Sequence, residues 1–121
     1  PIMPGPIYVH SDDALLRPYF APDFQVVGYA DVHRQGVRVI DQAGLLFNTG
    51  SVGNGLGMPL AQYAILRCAL GSRELGPLDV SMVSVPYDRE QTLRDTDDAE
   101  ARGLVNAEAF RVEVRTGKYA R

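Results

Sequence analysis

Up to about residue 85 the apolar residues fall in short runs closed by glycine, proline or acidic residues, whereas beyond Asp88 capping residues and glycine stops mark helices. Residues 1–6 carry three prolines and a glycine and read as an extended lead-in. Ile7-Tyr8-Val9 is a β-prone run ending at His10. Ser11-Asp12-Asp13 offers N-cap chemistry for a short helix from Asp13 to Phe20, disturbed at Pro18. Phe24 to Tyr29 reads as a buried strand that delivers Ala30-Asp31-Val32-His33 to its carboxyl edge. Val37–Ile40 and Leu45–Phe47 form a hairpin around Asp41-Gln42-Ala43-Gly44. Ala61 to Leu70 fits a helix by its Ala, Leu and Gln content and a strand by its length and glycine boundaries. Asp79 to Val85 reads as a strand. Asp88 and Gln91 have capping-box spacing for a helix running to about Arg102 and stopped by Gly103. A last helix spans Ala107 to Thr116, capped by Asn106 and closed by Gly117. Strands in the front two-thirds with two helices behind them predict an α+β or α/β fold.

Length adds that there is one domain, residues 1–121, since 121 residues and 13.2 kDa suit a single core. The 45% hydrophobic and 22% charged fractions are those of a globular protein. No apolar run approaches the ~20 residues of a membrane span. The first six residues also lack the basic region and apolar core of a signal peptide. A net charge of −3 argues against a nucleic-acid or anionic-membrane surface. The single cysteine, Cys68, excludes an internal disulfide, and its apolar run predicts a buried structural thiol. A cytoplasmic setting is the expectation.

Candidate chemistry is sparse. His10 and His33 are the only histidines, and each follows a predicted strand. In a locally extended backbone Asp31 and His33, two residues apart, point the same way. A carboxylate and an imidazole on one face can hold Mn²⁺, Fe²⁺ or Zn²⁺, although such a pair also closes strands without any metal. Asn48 to Pro59 holds four glycines, so its backbone turns sharply or approaches something closely. It lacks the Gly-Lys-Ser/Thr of a P-loop and the spacing of a dinucleotide fingerprint, and reads as a structural turn. Gly50-Ser51-Val52-Gly53 is one residue short of a nucleophile elbow. Asp95, Asp97, Asp98 and Glu100 read as a solvated helix face.

Three segments carry a resemblance. Val26-Val27-Gly28-Tyr29-Ala30-Asp31-Val32-His33, then Asn48-Thr49-Gly50-Ser51-Val52-Gly53, then Ala61-Gln62-Tyr63-Ala64-Ile65-Leu66 resemble the closing half of the calcineurin-like metallophosphoesterases. In that family's small bacterial and archaeal members an apolar strand ends in Gly-His-x-His. A hairpin, Asn-Pro-Gly-Ser-Val-Gly and a Tyr-Ala-Ile-Leu strand follow. Val85-Pro86-Tyr87-Asp88, before the late helix, is similar as well. The resemblance implies the sheet-rich half of a β-sandwich flanked by helices, and a hydrolase acting on a phosphate ester through two divalent cations, Mn, Fe, Zn or Ni. It places His33 on the first metal, with Asp31 and His10 on the second. Asn48, Gly50 and Ser51 belong to the loop that supports the site.

The departures are specific. Ala30-Asp31 stands where the family has Gly-His, Ser11 where glycine follows the upstream histidine, and Thr49 where the loop has proline. The family's opening motifs are absent from these 121 residues, which supply up to three of about seven ligands. A preceding half, a second copy of the chain or another chain would complete the site. The reading from a different class is a non-catalytic interaction module that keeps the fold.

Overall fold

The computed structural model describes residues 8–21, 25–69, 71, 78–103 and 105–118. Among them helices and strands mix in an α+β arrangement of two small sheets. The first sheet has the order β1-β3-β2, formed by β1 (Val26–Tyr29), β2 (Gly36–Ile40) and β3 (Gly44–Asn48). β1 runs parallel to β3, with Tyr29 opposite Asn48, and β2 runs antiparallel to β3, with Gly36 opposite Asn48. The expected hairpin is present, and Gln42 at φ 54° supplies the left-handed residue of its turn.

Register fixes the faces. Val27, Tyr29, Arg38, Ile40, Leu46 and Asn48 share one side, because residues two apart on a strand point the same way. Leu16, Ile40 and Leu46 form the core there, with Tyr19, Phe20, Val27, Tyr29 and Ala43 packed around them. Leu16 comes from α1 (Asp13–Leu16), followed by a 3₁₀ turn, Arg17–Tyr19. The single helix expected to reach Phe20 is therefore cut short. Pro18 in the first turn of the 3₁₀ segment has no N–H to continue the α-helical ladder. No side chain caps α1; the Ser11 hydroxyl accepts instead from the Tyr8 N–H at 3.0 Å.

The helix-or-strand choice at Ala61–Leu70 falls to strand. β4 (Leu60–Arg67) pairs antiparallel with β5 (Asp79–Pro86) along all eight residues. Pairing decides where local propensity does not. Cys68 lies just beyond β4 and is exposed, so the expectation of a buried thiol is corrected. Gln35 ties the two sheets together. Its Nε2 donates to the Tyr63 and Val83 carbonyls at 3.0 and 3.1 Å, and its Oε1 accepts from the Ser84 hydroxyl at 3.3 Å.

α2 (Arg89–Ala101) begins as expected, with the Asp88 carboxylate accepting from the Gln91 N–H at 2.9 Å. The reciprocal half of the capping box is not made, since the Gln91 side chain reaches forward to Asp95. α3 (Ala107–Thr116) ends at Gly117, as expected, but Asn106 is left-handed at φ 64° and its side chain does not cap. The acidic face of α2 does more than meet solvent. Asp97 and Glu100 both pair with Arg111 of α3, whose side chain is only 10% exposed. This ion-paired cluster holds the two helices together and raises the Arg111 pKa further, the Glu100 hydrogen bond being the largest cause. No helix among the described residues is long and apolar enough to cross a membrane.

Candidate functional site

Because β1 and β3 are parallel, their carboxyl ends lie side by side, and each leads straight into one of the singled-out segments. In a sheet with parallel neighbours this end is where connecting loops gather chemistry. Residues 30–35 must carry the chain from β1 across the end of β3 to β2, since β3 lies between them. Crossing two strand spacings, ~10 Å, in so short a segment requires a bent backbone. The bends fall at Asp31, φ 79°, and His33, φ 52°. Asp and His are among the residues that tolerate this region best. The expectation of a locally extended Asp31-Val32-His33 is thus corrected: both flanking residues are left-handed. Val32 between them is 3% exposed, Asp31 is exposed and His33 is half-buried.

Asn48 closes β3 and is wholly buried. Its Oδ1 accepts from the Gly50 N–H at 2.8 Å, setting the first turn of the glycine loop. Its Nδ2 has no well-aligned acceptor among the described residues. The Tyr29 phenol lies near. Burial pushes that phenol above its ordinary 10.0, and the Val9 N–H and the Asn48 side chain offset part of the rise.

Gly50 takes φ +80°, and a Cβ there would lie 2.7 Å from the Gln62 Cβ and 3.2 Å from the Gln35 Cβ. The Ser51 hydroxyl accepts from the Asn54 N–H at 3.0 Å, and its carbonyl accepts from the Gln62 N–H at 2.9 Å. These bonds give Ser51 a supporting task. Asn54, 6% exposed, donates through Nδ2 to Glu113 at 2.6 Å, so the loop is fastened to α3 as well. Sequence reasoning passed over Asn54 and Gln35. Both are single polar residues whose partners lie in distant elements, so no local spacing marks them.

His10 reaches the same edge by another route. Tyr8 and Val9 do not form the predicted strand; they belong to a turn closed by the Ser11 N–H donating to the Tyr8 carbonyl at 2.9 Å, and Ile7 lies outside the described residues. A Cβ on Gly36 would meet a Val9 methyl at 2.9 Å, and Val9 also contacts the Tyr29 phenol. Gly36 and Tyr29 both flank Asn48 in the register. The His10 turn, the residue 30–35 crossing and the Asn48–Ser51 turn therefore meet around one end of the sheet. The His10 imidazole is exposed and stacks on Tyr8, with ring centroids 5.2 Å apart and 23° between planes.

Two imidazoles and a carboxylate are a donor set that suits Mn²⁺, Fe²⁺, Zn²⁺ or Ni²⁺. The contact made by the His10 ring among the described residues is its stack on Tyr8, with no hydrogen bond from the ring. Among the described residues, however, no three His, Cys, Asp or Glu side chains gather so as to hold a metal by themselves. No protein-family model matches the chain, and no curated protein is significantly similar to it.

Proposed function

We propose that this chain is the closing half of a metal-dependent phosphoesterase, with His33, Asp31 and His10 offered to two divalent cations at the carboxyl edge of the first sheet. The observation that carries the reading is the parallel pairing of β1 with β3, Tyr29 beside Asn48. It brings the Ala30–His33 segment and the Asn48–Ser51 turn to one edge, in the strand, hairpin, glycine-loop, strand order of the resembled family. That resemblance divides the donors, His33 to one cation and Asp31 with His10 to the other. The proposal thus requires no three-donor cluster from this chain, and the remaining ligands come from outside its 121 residues. When bound, the cation pair would supply a nucleophile at neutral pH and charge stabilisation for an in-line displacement at phosphorus.

The chain's own residues have definable tasks. Asn48 and Ser51 fix the glycine loop under the crossing segment through their bonds to the Gly50 and Asn54 N–H groups. Val32, buried beneath the crossing, holds Asp31 and His33 on either side of it. An aspartate at position 31 makes the site more negative and harder than an imidazole would, which favours Mn²⁺ or Fe²⁺.

The test is Mn²⁺-dependent hydrolysis of p-nitrophenyl phosphate and bis(p-nitrophenyl) phosphate by the chain and its His33→Ala variant, with Mn²⁺ uptake followed by equilibrium dialysis. The expected result is weak Mn²⁺ uptake that drops at least tenfold in the variant, with slow turnover or none while the outside ligands are missing. Uptake unchanged by His33→Ala overturns the ligand assignment. Neither hydrolysis nor Mn²⁺ uptake by the parent chain favours the non-catalytic module.

A further inference from the structure

We infer that Arg38 is a positioning residue for His10, holding the turn that presents its imidazole at the sheet edge. The consequence for metal binding rests on the phosphoesterase reading, whereas the positioning itself does not. Arg38 lies on β2, on the core side of the sheet, two residues beyond Gly36. Its Nη1 donates to the Val9 carbonyl at 2.9 Å and to the Ser11 carbonyl at 2.7 Å, the two carbonyls that flank His10. Its Nη2 pairs with the Asp13 carboxylate, which also lies 3.8 Å from Arg17. One guanidinium thus grips the backbone on both sides of His10 and is itself anchored to the first residue of α1.

Among the described residues the turn is closed by the reciprocal pair of hydrogen bonds between Tyr8 and Ser11, and the Val9 N–H meets the Tyr29 phenol. His10 adds none, since its ring makes no hydrogen bond among the described residues and touches Tyr8 by stacking. The direction of the imidazole therefore follows from the path of the backbone at residues 9–11. Beside the Val9 contact with Tyr29, that path is held on both sides of His10 by a planar, permanently charged fork, whose donors match two carbonyls and a carboxylate at once. A lysine ammonium at position 38 would reach a carbonyl but could not span all three acceptors. A donor whose own bonds are few and whose backbone is clamped from beneath is arranged to present itself to a ligand, since such sites need a supporting shell that holds them in place.

The experiment compares the full chain with its Arg38→Met, Arg38→Lys and Asp13→Asn variants by NMR of the two histidine rings. The first readout is the ring-current shift that Tyr8 imposes on the His10 ring protons. The second is the Mn²⁺ concentration that half-broadens the His10 and the His33 signals. Arg38→Met is expected to collapse the His10 shift toward its free-peptide value and to raise the His10 Mn²⁺ requirement at least tenfold. The His33 requirement should stay within twofold. Arg38→Lys should restore part of both. Should Arg38→Met fail to fold, Asp13→Asn, at a carboxylate 37% exposed, loosens the guanidinium anchor and is expected to give a smaller loss of the same shift. An unchanged His10 shift and Mn²⁺ response in either folded variant overturns the inference. If the parent chain shows no Mn²⁺ broadening at either histidine, the phosphoesterase reading fails, and the ring-current comparison alone decides the role of Arg38.

Discussion

Adding one methyl group at two glycines of the same loop should have opposite outcomes. Gly50 has φ +80°, and an alanine Cβ there would sit 2.5 Å from the Gln62 Oε1, 2.7 Å from the Gln62 Cβ and 3.2 Å from the Gln35 Cβ. The amide oxygen is the end of a side chain and can swing away. The two Cβ atoms are fixed by backbones in the tie between the sheets and cannot. Left-handed backbone costs an L-residue ~1–2 kcal/mol, and forcing extra volume into a packed site costs ~1–3 kcal/mol more. Gly50→Ala should then lose about 3 kcal/mol, a large part of the ~5–15 kcal/mol that holds a domain together. For a chain of this length that is a fall of ~10–15 °C in melting temperature.

At Gly53 the same methyl meets nothing within 4 Å, and φ lies outside the left-handed region. Gly53→Ala should stay within about 0.5 kcal/mol of the parent. A third variant separates the two causes. Asparagine tolerates the left-handed region, so Gly50→Asn relieves the backbone cost and leaves the crowding. Its loss should be at least half that of Gly50→Ala. Urea and thermal unfolding followed by far-ultraviolet circular dichroism measure all three. If Gly50→Ala and Gly53→Ala unfold within about 0.5 kcal/mol of each other, the glycine loop does not lie against Gln62 and Gln35, and the site described above loses its floor.

Two further outcomes follow from side-chain environment. Burial raises the Tyr29 phenol above 10.0, so the folded state holds its proton more tightly than the unfolded chain does. That contribution is intact below about pH 10 and is lost as pH rises through the folded value. The stability of the parent should therefore fall more steeply above pH 10 than that of Tyr29→Phe, and parallel curves from urea titrations at pH 8 to 11 would contradict the assignment. Cys68 is exposed beyond β4, so the native chain should be alkylated by iodoacetamide to one equivalent without denaturant, and Cys68→Ser should leave the melting temperature within about 1 °C; protection until unfolding would return the thiol to the core.

Local chemistry was legible where the cause is local. The Asp88 cap, the Gly117 stop, the residue 41–44 turn and the strands near residues 26–29 and 79–85 could be read directly, because caps, left-handed turns and β-branched runs act within a few residues. The candidate edge was half legible. Asp31, His33 and Asn48 could be named from the chain, but an extended Asp31-Val32-His33 was the wrong geometry, since only the strand order shows that residues 30–35 must bend across the end of β3. His10 could be named too, yet its turn is held at that edge by Val9 against Gly36 and Tyr29 and by Arg38, a residue that looks like any exposed strand arginine until its three acceptors are seen.

What the sequence by itself determined is a mixed chain, α+β or α/β, with a punctuated front, two late helices and a sparse set of candidate donors at residues 10, 31 and 33. Its means were propensity, capping and spacing, which cost or contribute about 1 kcal/mol each and reach no further than a turn or two. The tertiary structure decided the rest. It made Leu60–Arg67 a strand by giving it β5 as a partner, exposed Cys68, and turned Asp97 and Glu100 into partners of Arg111. It also set Tyr29 beside Asn48, so that three separate stretches of chain meet at one edge. Those outcomes depend on pairing and burial between residues far apart in the chain, where the energy of a contact exists only once the fold has brought its two halves together.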